Sequence, residues 1–272
     1  MRVKNIFIYV IILTLLMFTS CKQGKIGQKG TVDTTLISKD TLTKELKEIV
    51  YPLPSPFEVY QKLEDIGATY SPLILNPVRN IDKYYTERTK ALNLGIYSAD
   101  LSYVTVYNKT QEIQLYSKNV KKLIDDFHLN INFQDLYNEE MRKKLENKDT
   151  LIQYITNTFY DVYKNLATSG DPSLSILMIT GVWVEGLYIA SHISESTFNN
   201  TEIVKIIYDQ NKSLRILLDL LSKYLTNEYN KSLYNALNKI KQLYDKGQDG
   251  LTEKLFNEIK SSIATLRTSI VD

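Results

Sequence analysis

Cysteine and histidine are almost absent from this chain of 272 residues, which has one cysteine and two histidines. Cys21 has no second thiol, so no disulfide can form within the chain and packing must hold the fold together. His128 and His192, without a free cysteine beside them, offer no plausible zinc site. We therefore expect neither a bound metal nor a cofactor.

Several motifs of catalysis and nucleotide binding are also missing. The sequence has no glycine-rich phosphate loop, no Gly-x-Ser-x-Gly elbow and no Glu-x-x-His pair of a di-iron bundle. Its 33 basic and 31 acidic residues nearly balance, so no electrostatic attraction to nucleic acid is expected. These absences favour a protein that is not an enzyme and does not bind nucleic acid.

Proline is scarce over most of the chain, and this scarcity predicts the fold class. Five of the six prolines lie between Pro52 and Pro77, which predicts an irregular run over 51–79 interrupted by one helix. Only Pro172 follows, and apolar residues there recur at spacings of three and four. We predict a compact, antiparallel, all-α array of helices at about 40–49, 56–68, 80–95, 97–127, 133–147, 149–167, 172–195, 201–226, 229–246 and 250–270.

The amino terminus has the pattern of an export signal. Arg2 and Lys4 precede an apolar stretch from Ile6 to Phe18, which is too short to cross a bilayer as a helix. Thr19, Ser20 and Cys21 follow, and this stretch resembles a bacterial lipoprotein signal, although Phe18 stands where leucine is usual. The resemblance implies removal of residues 1–20 and acylation of Cys21, which would anchor the protein to a membrane.

The residues after Cys21 predict how the anchored chain is organised. Residues 21–37 are rich in Lys, Gly, Gln and Thr and are predicted to be a flexible tether. A single helical domain over 38–272 is expected to follow. Lys22, rather than an aspartate, implies by the same resemblance an outer-membrane protein, with the periplasmic face favoured over the cell surface.

The candidate site lies in "ITGVWVEGLYIAS", residues 179–191, where one glutamate and two glycines interrupt an otherwise apolar helix. A helix that is apolar on every side is expected at the centre of the fold. Gly181 and Gly186 weaken such a helix, which predicts close packing against another backbone. The expected partner carries a stripe of small residues, Gly95, Ala99 and Ser102, with Asp100 beside it.

Two segments carry a wider resemblance. "LNLGIYSADLSYVTVYNKTQ" and "GVWVEGLYIAS" resemble the signature of an uncharacterised family of helical lipoproteins from Bacteroides-type bacteria. "PSPFEVYQKLEDIGATY" and "NPVRNIDKYYTERTKALNLG" fit it too, so the likeness covers about residues 50–195. It implies the same localisation and a single domain, and it brings no activity, substrate or catalytic residue with it.

Three hypotheses remain for the two acidic residues. In the first, Asp100 and Glu185 are structural and pair with an arginine such as Arg79 or Arg88, or with tyrosine hydroxyls. The domain then serves binding or scaffolding, and its partners are the membrane and an envelope protein. In the second, they belong to a pocket for a cation or small polar ligand, lined by Asp100, Gln111, Trp183, Glu185, Tyr188 and His192. In the third, they are the paired carboxylates of a hydrolase.

Overall fold

The computed structural model of the protein describes residues 56–129, 131, 133, 143, 147–194, 197–247 and 250–272, all within one compact unit. In these ranges the chain forms α-helices and short 3-10 helices without any strand, which confirms the all-α prediction. The α-helices are α1 (Pro56–Asp65), α2 (Glu87–Val106), α3 (Thr110–Asp126), α4 (Lys148–Ala167), α5 (Ser173–His192), α6 (Thr201–Ser222), α7 (Glu228–Lys246) and α8 (Glu253–Val271). The 3-10 helices are Pro72–Ile74, Val78–Lys83 and Thr197–Asn199.

Polar side chains at the helix starts explain many of the boundaries. A free backbone amide in the first turn of a helix needs an acceptor, and Asn or Thr just before the helix supplies one. Such a cap is present before five helices, where the side chain accepts from first-turn amides: Thr86, Asn147, Asn200, Asn227 and Thr252. The predicted helices from residue 149 onwards agree with α4 to α8, with differences of a few residues at their ends.

The predicted break between helices 80–95 and 97–127 is wrong. Helix α2 continues through Gly95 to Val106, and the chain breaks instead around Asn108, whose φ is 54°. This left-handed conformation is one that asparagine tolerates better than most residues. The predicted helix at 40–49 and almost all of the one at 133–147 lie outside the described residues.

Helix α5 is the central helix of the domain, as its composition predicts. It has the length and mean hydropathy, 1.6, of a membrane-spanning helix, but 83% of its most apolar stretch is buried inside the protein. Its closest neighbour is α2. Arg88 contacts Asp171 just before α5 begins, and Asp100 faces Glu185 further along, so the two helices run in the same direction.

Gly95 and Gly181 allow α2 and α5 to touch along their backbones. A Cβ placed on Gly95 would lie 2.0 Å from the Met178 carbonyl oxygen, and one on Gly181 would lie 2.0 Å from the Leu92 carbonyl oxygen. This confirms the predicted close packing at Gly181. At Gly186 the same prediction is wrong, because the atom of another described helix that lies nearest to its Cβ position is the Tyr60 hydroxyl oxygen, at 3.9 Å.

The C-terminal helix α8 closes the core against the start of α2 and the segment before it. The Asn93 amide donates to the Ile270 carbonyl oxygen at 3.0 Å, and the Tyr84 hydroxyl donates to the Val271 carbonyl oxygen at 3.2 Å. These bonds join residues more than 170 positions apart. They bring the end of the chain next to the α2 and α5 pair, where the candidate site lies.

Candidate functional site

Glu185 and Arg267 form a buried ion pair at the centre of the domain. Arg267 Nε donates to Glu185 Oε2 at 2.7 Å, and its terminal nitrogen donates to Oε1 at 2.8 Å. Both carboxylate oxygens are therefore used, in the two-pronged geometry that arginine makes with carboxylates. Glu185 is fully buried, and Arg267 is 8% exposed.

Asp100 adds a second carboxyl group to this pair. It is fully buried, and its side chain lies within hydrogen-bonding reach of Glu185. Its Oδ2 accepts the backbone N–H of Asn76 at 3.3 Å, while its Oδ1 has no donor in the described part of the chain. Burial and the neighbouring Glu185 raise the pKa of Asp100 well above its ordinary value. Asp100, Glu185 and Arg267 are called the buried charge cluster below.

Aromatic side chains enclose the cluster. The Arg267 guanidinium lies over the Tyr188 ring, 4.2 Å from its centroid, which stabilises the cation. Tyr60 is buried on α1, and its hydroxyl has no hydrogen-bond partner within the described ranges. Burial, and then the nearby acidic groups Glu185 and Asp100, raise its pKa well above the ordinary value, so this hydroxyl stays protonated.

The cluster also fixes an irregular segment, residues 71–77, called the Asn76 loop. Arg267 donates to the Ile74 carbonyl oxygen at 3.2 Å, and Asp100 accepts from the Asn76 backbone. The Asn76 carbonyl oxygen accepts from the Tyr116 hydroxyl at 3.1 Å. The loop is thus held from α2, α3 and α8 at once, although it has little regular structure of its own.

Leu73 projects from this loop into solvent. Its side chain is 92% exposed, the highest value among the large apolar residues that the structure describes. Pro72 before it and Pro77 after it are exposed as well, and prolines restrict the backbone of the loop. The buried charge cluster therefore positions a stiff, apolar protrusion on the surface.

Gln111, Trp183 and His192 do not join Asp100 and Glu185 in one pocket. Gln111 is exposed in the first turn of α3, because the chain breaks before it rather than continuing along α2. Trp183 faces a different cavity, against Val59, Gly186 and Gln210. His192 stacks on Tyr188 at 4.2 Å, and burial lowers its pKa to about 4, so it is neutral near pH 7.

Asp100 and Glu185 are both fully buried, and they lie away from the two cavities described next. One cavity of about 40 Å³ lies between α1, α5 and α6, and another of about 10 Å³ lies between α2, α3, α4 and α5. Neither is lined by Asp100 or Glu185. Within the described ranges, no group of three or more metal-ligating side chains occurs either.

Arg267 is the residue that the sequence argument missed. Of the two arginines expected as partners, Arg88 contacts Asp171 instead, and Glu185 is held from α8. A signal for this was present in the sequence: Ile259, Ile263 and Ile270 mark the buried face of α8, and position 267 continues their spacing of three and four. A single arginine in an apolar helix face indicates a buried acidic partner.

Comparison of the chain with protein-family models, with curated proteins and with solved structures gives no match. Its function is therefore inferred from its own residues.

Proposed function

We propose that this protein is a lipid-anchored protein of the bacterial outer membrane, facing the periplasm, whose helical domain binds or scaffolds an envelope protein and catalyses no reaction. The lipid on Cys21 and the tether over 21–37 are inferred from the sequence pattern. The same proposal includes membership of the family of helical lipoproteins from Bacteroides-type bacteria, on the two signature segments around Asp100 and Glu185.

The geometry of the acidic residues supports a structural role for them. A hydrolase with paired carboxylates needs a substrate and a water molecule between the two groups. Here both groups are fully buried, and Arg267 uses both oxygens of Glu185. A pocket for a small polar ligand would need an open volume beside them, and the cavities described above lie elsewhere.

The single observation that carries the proposal is the exposure of Leu73 on a loop that is firmly held. Placing a leucine in water forgoes about 1.5–3 kcal/mol of burial free energy. A buried ion pair often stabilises a fold less than apolar side chains of similar volume would. The use of such a pair to hold the Asn76 loop is consistent with a need to fix the position of that loop. An apolar side chain on a loop that is already restrained can enter a pocket of a partner protein with little further loss of conformational freedom.

The docking role is tested by substituting Leu73 with serine. We expect the L73S protein to fold with an unchanged melting temperature, because the side chain is exposed, and to be lost from the envelope complex that the unmodified protein forms. The complex is followed by native electrophoresis of gently solubilised membranes. The matched control is Lys254→Ser, since the Lys254 side chain is also largely exposed but lies at the start of α8. Equal retention of the complex by both variants would contradict the role of the loop.

The anchor is tested separately by the Cys21→Ala variant. We expect a radiolabelled fatty acid to be incorporated into the unmodified protein and not into the variant, because Cys21 is the only thiol in the chain. The unmodified protein is expected in the outer-membrane fraction. Fatty-acid labelling of the variant at the level of the unmodified protein would disprove the assignment of the anchor.

A further inference from the structure

The charges in the buried charge cluster do not balance if both acids are ionised. Asp100 and Glu185 would then carry two negative charges against the one positive charge of Arg267. We propose that the cluster holds one dissociable proton, carried by Asp100 and donated to Glu185, and that uptake of this proton is coupled to folding. This inference does not depend on the proposed docking role of the Asn76 loop.

The hydrogen bonds of the cluster indicate where the proton lies. Both oxygens of Glu185 already accept hydrogen bonds from Arg267, so Asp100 is the acid of the pair with an unsatisfied oxygen. Among the residues that the structure describes, Asp100 accepts only one backbone N–H, and its Oδ1 has no donor. A proton on Asp100 converts one of its side-chain oxygens into a donor toward Glu185, which lies within hydrogen-bonding reach.

The charged groups that act most strongly on Asp100 are one cation and one acid. The cation is Arg267, on α8, and the acid is Glu185, on α5. Five tyrosines also face Asp100, and each is neutral because burial raises its pKa. They lie on α1, on the segment before α2, on α2 and on α3: Tyr60, Tyr70, Tyr84, Tyr97 and Tyr116. The cluster is therefore neutral with the proton and carries one net negative charge without it.

Coupling to folding gives the proposal a definite sign. An aspartate in an unfolded chain has a pKa of about 3.9 and is ionised above that pH. If the folded protein keeps Asp100 protonated, it binds one more proton than the unfolded chain over this range. Stability must then fall as the pH rises, and the unfolding equilibrium constant grows by up to tenfold per pH unit from this group.

The test compares urea unfolding of the unmodified protein and the Asp100→Asn variant at pH values from about 5 to about 9. The asparagine amide can donate to Glu185 as the acid does, but it cannot lose a proton. We expect the unfolding equilibrium constant to rise more steeply with pH in the unmodified protein than in D100N. The difference should be up to a factor of ten for each pH unit. Asp82→Asn is the matched control, because the Asp82 side chain is 79% exposed, and it should keep the slope of the unmodified protein. Equal slopes for the unmodified protein and D100N would overturn the proposal.

A spectroscopic measurement keeps the proposal testable if D100N does not fold. A carboxylic acid has a carbonyl stretching band in the infrared that is distinct from the bands of a carboxylate. We expect the unmodified protein to show this band near neutral pH and to lose it together with its folded structure in urea. If the folded protein shows no protonated carboxyl band at neutral pH, Asp100 is ionised and the proposal is wrong.

Discussion

Arg267 and Glu185 show how a buried ion pair can be tolerated at the centre of an apolar helix. Removing two charges from water costs several kcal/mol for each ion, and only good geometry with further hydrogen bonds offsets that cost. The pair has both. Arg267 makes two bonds to Glu185 and one to the Ile74 carbonyl oxygen, and it stacks on Tyr188. If either partner is removed, the other charge stays buried without a counter-charge. Its desolvation cost is then no longer offset.

We therefore expect Glu185→Gln to lower the free energy of unfolding by about 3 kcal/mol, the lower end of the range for breaking a buried pair. The loss is at the lower end because Asp100 can ionise and take over as the partner of Arg267. Urea unfolding near neutral pH measures the change. In an Asp100→Asn background the same substitution should cost more, since no carboxylate then remains. A loss below about 1 kcal/mol, typical of an exposed pair, would contradict this account.

Asp100 and Glu185 could be predicted from the sequence as buried neighbours, because each stands alone in an apolar helix beside small residues. Arg267 could not be assigned to them with the same ease, since it lies 82 positions after Glu185 and no local pattern links α8 to α5. The prediction that Gln111 lies in one pocket with Asp100 is wrong for a different reason. The break at Asn108 depends on one backbone conformation that apolar spacing does not reveal.

At the scale of helices, contact between the α2 and α5 backbones determines how the domain is assembled. Glycine inside a helix costs about 1 kcal/mol relative to alanine, and at Gly95 and Gly181 this cost is offset by close approach of the two helices. The glycines in the apolar sequence of α5 and the stripe of small residues on α2 predict this pair. Apolar spacing also misread Gly95 as a helix end, because a glycine that packs and a glycine that terminates a helix look the same in one sequence.

Three matched alanine substitutions test this packing. We expect Gly95→Ala and Gly181→Ala each to destabilise the domain by about 3 kcal/mol or more, because the new methyl group would lie 2.0 Å from a carbonyl oxygen and the helices must separate. Gly186→Ala should instead stabilise it by up to about 1 kcal/mol, since its nearest neighbour is 3.9 Å away. Thermal and urea unfolding of the three proteins measures these changes. Similar losses in all three would mean that close packing is not the cause.

At the scale of the whole molecule, α8 connects the end of the described chain to its early segments. Asn80, Tyr84 and Asn93 all donate to the last carbonyl groups of α8. Because these contacts join distant parts of the sequence, they require the rest of the core to hold those parts together. The Asn76 loop, the buried charge cluster and the end of α8 are therefore expected to unfold together rather than separately.

Removal of the last three residues tests this dependence. Ile270 and Val271 are both buried, and each contributes about 1.5–3 kcal/mol through apolar burial, while Tyr84 also loses its acceptor. We expect truncation after Ser269 to lower the free energy of unfolding by about 5 kcal/mol, a large part of the total for a single domain. Fluorescence of Trp183, the only tryptophan, reports this from the central helix.

Asp272→Asn is the control and should change the free energy of unfolding by less than about 1 kcal/mol, because its pair with Lys83 is exposed. If the truncated protein keeps the urea midpoint of the control, α8 does not close the core, and the burial of Arg267 must depend on the earlier part of that helix.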